Sequence, residues 1–136
     1  MTLVGVGIDV ASLARIEGLV QRYGGTFTRR WFDADDFPQG RISAMNLAKS
    51  FAAKEAVWKA LPHDSTAPLP WRAIVTRPGA ASHVFDVELR GLLGQEAASY
   101  GVRTITTTVT IRGDLVVAVA LVEGETTRNA RSARQP

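Results

Sequence analysis

Cysteine is absent from this sequence, and no run of 18 or more apolar residues occurs in it. The first absence excludes disulfides and metal sites built from thiolates. The second absence predicts no membrane-spanning helix. Because no basic segment precedes the apolar stretch at the N-terminus, we also predict no signal peptide. A cytoplasmic protein is the expectation. The 136 residues, 46% of them hydrophobic, are enough for one domain with a substantial core.

A large excess of charge of one sign is also missing, since the formal net charge is only +3. Three arginines against Glu125 place +2 of this charge in the last residues. This stretch has no apolar periodicity, so we predict a domain over residues 1–124 and a disordered basic tail over 125–136. Arginines without interleaved aromatics make a poor nucleic-acid footprint, and nucleic acid is not an expected partner.

Hydrophobic periodicity predicts an α+β fold, a single small domain in which an antiparallel β-sheet packs against one long and several shorter helices. The final two strands, rich in Thr and Val and joined through Arg112-Gly113, are typical of a β-hairpin. The predicted strands are 2–10, 71–77, 83–89, 103–111 and 114–123. The predicted helices are 12–22, 43–61 and 91–100, with short helical pieces over 26–37.

Two carboxylates stand out in this pattern. Glu55 and Lys59 lie one turn apart on one face of the long helix, where they form either a surface ion pair or a shared ligand site. Asp9 interrupts an apolar run over residues 3–10, and a carboxylate there must be paired, hydrogen-bonded or metal-bound. An alternative role for Asp9 is to cap the following helix.

These two segments together resemble the holo-acyl-carrier-protein synthase family of 4'-phosphopantetheinyl transferases. The resemblance rests on Gly7-Ile8-Asp9 and on the block 51–56, Phe-Ala-Ala-Lys-Glu-Ala, followed by Lys59. It implies transfer of the phosphopantetheine arm of coenzyme A to a serine of an acyl or polyketide carrier protein, releasing adenosine 3',5'-bisphosphate. A weaker similarity to the family extends beyond these two segments, from about residue 3 to residue 124.

The resemblance also implies roles for individual residues. Asp9 and Glu55 match residues that bind Mg²⁺, a cation that takes one or two carboxylates together with phosphate oxygens and water. Lys59, a catalytic candidate with these two carboxylates, reaches the phosphates of the cofactor. Lys54 belongs to the motif but lies about 100° around the helix from Glu55, so it faces the nucleotide or solvent. The base that deprotonates the carrier serine is either Glu55 or a water on the metal.

Carrier recognition is predicted on the first helix and just beyond it. Arg15, Arg22 and Arg30 fall where the family places basic residues that contact the carrier, and guanidinium groups bind the carboxylates of acidic carrier proteins well. Scattered surface arginines are the alternative. The family further implies a homotrimer, with each coenzyme A site between two subunits.

The chain departs from the family pattern at three places. Ser50 stands where an arginine usually precedes the block 51–56, and neighbouring Lys49 is the candidate to replace its phosphate contact. The segment 62–68 lacks the glycine-rich sequence that lies over the cofactor, and Ile111 occupies the position of a histidine. We therefore expect a divergent active transferase; the alternative is a catalytically weakened homologue that docks carrier proteins.

Overall fold

Five antiparallel strands form one sheet, in the order β1-β5-β4-β3-β2, in a computed structural model that describes residues 1–40, 42–63 and 67–125. The predicted α+β class is confirmed. The strands are β1 (Thr2–Ser12), β2 (Ile74–Pro78), β3 (Val84–Leu89), β4 (Val102–Arg112) and β5 (Leu115–Gly124). The helices are α1 (Leu13–Tyr23), α2 (Gly25–Trp31), α3 (Ala44–Ala60) and α4 (Gly91–Ser99), with 3₁₀ turns at Ala34–Asp36 and Trp71–Ala73.

Helix α3 packs along β1 and β5 and carries much of the core. Its strong helix formers and the Ser43 N-cap, whose hydroxyl accepts from the Asn46 amide, account for its length of 17 residues. Nine of these residues are buried, most of them small, so one face lies flat on the sheet. Phe51, Glu55 and Lys59 recur one turn apart and form a stripe along the helix that is half-buried or exposed.

Two glycines of β1 permit a very close approach of this helix. A Cβ atom added at Gly7 would overlap the carbonyl oxygen of Ala56, and one added at Gly5 would overlap that of Ala60. Both obstacles are backbone atoms, so no side-chain rotation relieves them. The contact therefore requires glycine on the strand, and it places Asp9, two residues beyond Gly7, beside the exposed stripe of α3.

The tip of the β4-β5 hairpin holds the start of α1. Asp114 accepts hydrogen bonds from the Ser12 hydroxyl at 2.6 Å and from the Ala14 amide at 2.9 Å. These bonds satisfy groups at the helix N-terminus and hold the pKa of Asp114 below its usual range. The hairpin thereby sets the direction in which α1 leaves β1.

The face of the sheet opposite α3 is apolar and exposed in the single chain. From Gly5 onward the side chains of β1 alternate between the two faces, and Val6, Ile8 and Val10, on the face away from α3, are each about half exposed. Leu115 and Leu121 of β5 continue this surface. We call these five residues the outer sheet face.

The element boundaries agree with the predicted ones to within about two residues, with one exception. Residues 71–73, predicted to open a strand, form a 3₁₀ turn, and β2 begins at Ile74. The predicted tail, apart from Glu125, lies outside the described residues. Within the described part of the chain, every helix is too short or too polar to cross a membrane.

Candidate active site

Asp9, Glu55 and Lys59 meet where β1 passes the exposed stripe of α3. The Lys59 ammonium donates to Asp9 Oδ1 at 2.8 Å and to the carbonyl oxygen of Ile8 at 3.3 Å. The carboxyl group of Glu55 lies close enough to that of Asp9 for the two to interact strongly. The Asp9 side chain is 9% exposed and that of Lys59 is 52% exposed. The structure thus brings the three predicted catalytic residues into one cluster, with the ammonium group nearest solvent.

The electrostatics of this cluster are dominated by the two carboxyl groups. Burial, the hydrogen bond to Asp9 and the charge of Asp9 raise the pKa of Glu55 from 4.5 to about 7. Lys59 and Arg15 act in the opposite direction. The hydrogen bond to Asp9 raises the pKa of Lys59, which stays protonated. Near neutral pH, Glu55 therefore holds a proton in a substantial fraction of molecules when no cation is present.

Two clefts open onto the cluster. The first, of about 400 Å³, lies against β1 and the start of α1 and is lined by Asp9, Ser12, Arg15 and Glu55 among others. The second, of about 500 Å³, is walled by aromatic side chains of α2, α3 and the 71–73 turn; we call it the aromatic groove. Its walls include Phe27, Trp31, Phe51 and Trp71, with Arg15 and Arg30 also lining it. Because Glu55 lines both clefts, a ligand in either one reaches the carboxyl group of Glu55.

Comparison with known proteins identifies the family. A family model described as the 4'-phosphopantetheinyl transferase superfamily matches residues 5–120. The chain belongs to this superfamily. The holo-[acyl-carrier-protein] synthase of Burkholderia pseudomallei strain 668 is 31% identical over 144 residues, which cover 98% of this chain and 96% of that protein. The family predicted from Gly7-Ile8-Asp9 and the block 51–56 is thus confirmed.

Solved structures of similar proteins share the fold. The holo-[acyl-carrier-protein] synthase of Neisseria meningitidis has a TM-score of 0.77 and 27% identity, covering 90% of this chain and 99% of that one. The acyl carrier protein synthase of Mycobacterium tuberculosis has a TM-score of 0.70 and 29% identity, covering 91% of this chain and 100% of that one. The matches include nearly the whole of both proteins, so this chain shares their fold along most of its length.

The oxygen donors of Asp9 and Glu55 suit the Mg²⁺ that the family resemblance implies. Two neighbouring carboxyl groups offer oxygen lone pairs that can coordinate a cation, and the cation can replace the proton that otherwise keeps Glu55 neutral. No group of three or more His, Cys, Asp or Glu able to hold a metal occurs among the described residues. A magnesium site with two protein carboxylates is compatible with this, because Mg²⁺ keeps its other positions for phosphate and water.

Lys54 lies elsewhere than predicted. Its side chain is fully buried on the core side of α3, where the ammonium group donates to Asp36 Oδ2 at 2.8 Å. The other two donors reach the carbonyl oxygens of Trp71 at 2.8 Å and Ile74 at 2.7 Å. The expectation that Lys54 faces the nucleotide or solvent is wrong, because all three donors are bonded within the protein. A direct cofactor contact by Lys54 has no support in this arrangement.

Ser50 and Lys49 also depart from the predicted arrangement. The Ser50 hydroxyl is buried, 2.7 Å from that of Thr76, so the residue in the arginine position is part of the core. Lys49 lines a separate cavity of about 290 Å³ with Phe37, Gln39 and other residues, and that cavity does not include Asp9 or Glu55. Within one chain, the predicted phosphate contact by Lys49 is therefore not at the carboxylate cluster.

The three predicted carrier-binding arginines are distributed around the aromatic groove. Arg15 and Arg30 line it, from α1 and α2 respectively. Arg22 lies outside the lining, with its guanidinium 5.8 Å from the centre of the Tyr23 ring. Trp31 and Trp71 were not predicted as site residues; their aromatic character was visible, but only the fold brings them together beside Glu55.

The raised pKa of Glu55 predicts a pH effect on stability without metal. The folded state holds the Glu55 proton to higher pH than the unfolded chain, so ionisation costs folding free energy as pH rises from about 4.5 to 7. In EDTA, the wild type should lose on the order of 1–2 kcal/mol relative to Glu55→Gln across that range, less than the full shift implies because solvent reaches Glu55 and screens its charge. Urea unfolding at several pH values measures this. Exposed Glu17, changed to Gln, is the matched control, and parallel profiles for wild type and Glu55→Gln would contradict the shift.

Proposed function

We propose that this protein transfers the 4'-phosphopantetheine arm of coenzyme A to a serine of an acyl or polyketide carrier protein, in a Mg²⁺-dependent reaction that releases adenosine 3',5'-bisphosphate. The observation that supports it most is the meeting of Asp9, Glu55 and Lys59 at the junction of two clefts, in a chain of this superfamily. The alternative, a weakened docking homologue, has no comparable observation in its favour.

The residues of the cluster have distinct parts in this proposal. Asp9 and Glu55 would hold Mg²⁺, which when bound would offset negative charge on the pyrophosphate. Lys59, protonated and half exposed, places a positive charge at the mouth of the cluster, where it can stabilise the departing phosphate or give it a proton. The carrier hydroxyl attacks the β-phosphorus, and the bond from that phosphorus to the bridging oxygen breaks. Glu55 or a nearby water takes the hydroxyl proton.

The aromatic groove is proposed to receive the carrier protein. Its guanidinium groups, Arg15 and Arg30, complement the carboxylates of an acidic carrier, and its aromatic walls offer apolar contact. Because the groove reaches Glu55, a carrier bound there presents its serine to the cluster. Arg22, on the next turns of α1, extends the basic surface beyond the groove.

A homotrimer with intersubunit coenzyme A sites is proposed as the assembled form. The outer sheet face supports it, since five exposed apolar residues on one side of a small sheet are a typical subunit contact. Assembly of this kind gives a second subunit access to each cluster. Lys49, remote from Glu55 in its own chain, would then serve the site of a neighbouring subunit.

Intact-mass spectrometry of an apo carrier protein tests the activity. With coenzyme A and Mg²⁺, the wild type should add the mass of one phosphopantetheine group to each carrier molecule. Glu55→Gln should reduce the rate by at least about 100-fold because it removes a charged ligand of the cation. Glu17→Gln should retain the wild-type rate. Absence of the added mass across fatty-acid and polyketide carriers would overturn the proposal.

Two neighbouring arginines of α2 test carrier docking. Arg30 lines the aromatic groove, whereas Arg29 lines a different cavity beside Asp33 and Phe37. Arg30→Glu should raise the apparent KM for the carrier about tenfold and leave the KM for coenzyme A unchanged, because it opposes the carrier's carboxylates. Arg29→Glu should change neither constant. Equal effects of the two substitutions, measured by steady-state kinetics, would exclude the groove as the docking site.

A further inference from the structure

The side chain of Lys54 is the centre of a buried polar network that the proposed chemistry does not use. Both it and its ion-pair partner Asp36 have no exposed side-chain surface. Asp36 also accepts hydrogen bonds from the Thr76 amide at 2.8 Å and from the Asp33 amide at 2.8 Å. Burial lowers the pKa of Lys54, and the charge of Asp36 acts against this. The network is fully bonded, so it has a definite geometry.

Stability alone is a weak reason for such a pair. Removing two charges from water is costly, and apolar residues of similar volume often stabilise a protein as much or more. What apolar residues cannot do is bond specific backbone atoms. Lys54 bonds the carbonyl oxygens of Trp71 and Ile74, and Asp36 bonds the Thr76 amide. The pair therefore fixes the segment 71–76 against α3 at three backbone positions.

That segment carries Trp71, one of the aromatic side chains that line the groove. The Trp71 ring stacks on Phe51, with centroids 4.7 Å apart and planes inclined by 24°. It also packs edge-on against the Trp31 ring, with the two centroids 4.4 Å apart. Phe51 lies one helical turn before Glu55 on the exposed stripe of α3. The backbone of Trp71 is thus held from the core side by Lys54, while its ring faces the groove that leads to Glu55.

We propose that Lys54 is a positioning residue, which with Asp36 holds Trp71 in place as the carrier-facing wall of the aromatic groove. This inference rests on the proposed carrier docking but concerns a different residue and a separate observable. Lys54 and Glu55, adjacent in sequence, then serve the two sides of the helix: Glu55 faces the reacting groups, and Lys54 fixes the surface that aligns the carrier with them.

The test removes both charges at once, because a single substitution would leave a buried unpaired charge. In Lys54→Met/Asp36→Asn, the carbonyl groups of Trp71 and Ile74 lose their donors, and the Trp71 ring should become more mobile. In a background with Trp31→Phe and Trp58→Phe, acrylamide quenching of Trp71 should increase about twofold or more. With the native tryptophans, the double variant should raise the KM for the carrier about fivefold or more and leave the KM for coenzyme A unchanged.

Arg72→Ala is the matched control. Arg72 lies on the same 3₁₀ turn and forms an exposed ion pair with Asp33, but its side chain takes no part in the hydrogen bonds that Lys54 donates. It should change neither quenching nor either KM. A double variant that unfolds cooperatively, with wild-type quenching of Trp71 and wild-type KM for the carrier, would overturn the positioning role. Failure of the wild type to transfer phosphopantetheine would instead overturn the proposed function, while the quenching result would still report on Lys54.

A measurement on the wild type covers the case in which the double variant fails to fold. A buried ammonium group whose three donors are all bonded within the protein exchanges its protons slowly, so NMR of ¹⁵N-lysine-labelled protein should show a protected Lys54 ammonium signal with contacts to Trp71. Lys49 and Lys59, both partly accessible, should give no such signal. Rapid exchange at Lys54 would contradict the proposal.

Discussion

The contact between β1 and α3 is the constraint on which the rest of the site depends. Gly5 and Gly7 lie against the carbonyl oxygens of Ala60 and Ala56, a separation that any side chain on the strand would prevent. At this separation the carboxylate of the strand residue Asp9 lies 2.8 Å from the Lys59 ammonium group and close enough to Glu55 to raise the pKa of that residue. A strand held further away would leave Asp9 as a buried carboxylate without a partner, which is costly. Packing and chemistry are therefore set by the same few backbone atoms.

Charge is arranged differently on the two sides of α3. On the core side, Lys54 and Asp36 are matched and fully bonded, and they fix surrounding backbone. On the open side, the two carboxyl groups of Asp9 and Glu55 face one ammonium group, and the pKa of Glu55 rises to about 7 as a result of burial and of Asp9. The charges on the core side are balanced within the protein. On the open side, a bound cation would reduce the repulsion between the two carboxylates. This contrast separates a structural ion pair from a site suited to chemistry.

Much of this arrangement could be predicted from the sequence. The strong helix formers of α3 and the spacing of Glu55 and Lys59 predicted one shared face, and the apolar run around Asp9 predicted a carboxylate that needs a partner. The direction of Lys54 could not be predicted in the same way. Helical geometry places Lys54 about 100° around the helix from Glu55, but it does not determine which face of the helix is buried. Its partners Asp36 and Trp71 come from segments before and after α3 with no local pattern that links them.

The 3₁₀ turn at Trp71–Ala73 was predicted as strand for a related reason. Its residues read as the start of an apolar strand, but the Lys54 bonds to the carbonyl oxygens of Trp71 and Ile74 hold this part of the chain against α3. Tertiary contacts thus override local propensity there. Ser50 illustrates the same limit, since its hydroxyl bonds Thr76 across the core and its position in the motif gave no indication of that partner.

The close contact between β1 and α3 is tested most directly by the free energy of unfolding of Gly7→Ala, measured in urea beside Gly18→Ala. The added methyl group at residue 7 meets the Ala56 carbonyl, whereas at residue 18 no atom lies within 4 Å of it. Gly7→Ala should lose about 3 kcal/mol or more, or fail to fold, because backbone must move. Gly18→Ala, in a helix, should gain about 0.5–1 kcal/mol. A Gly7→Ala protein as stable as the wild type would contradict the account.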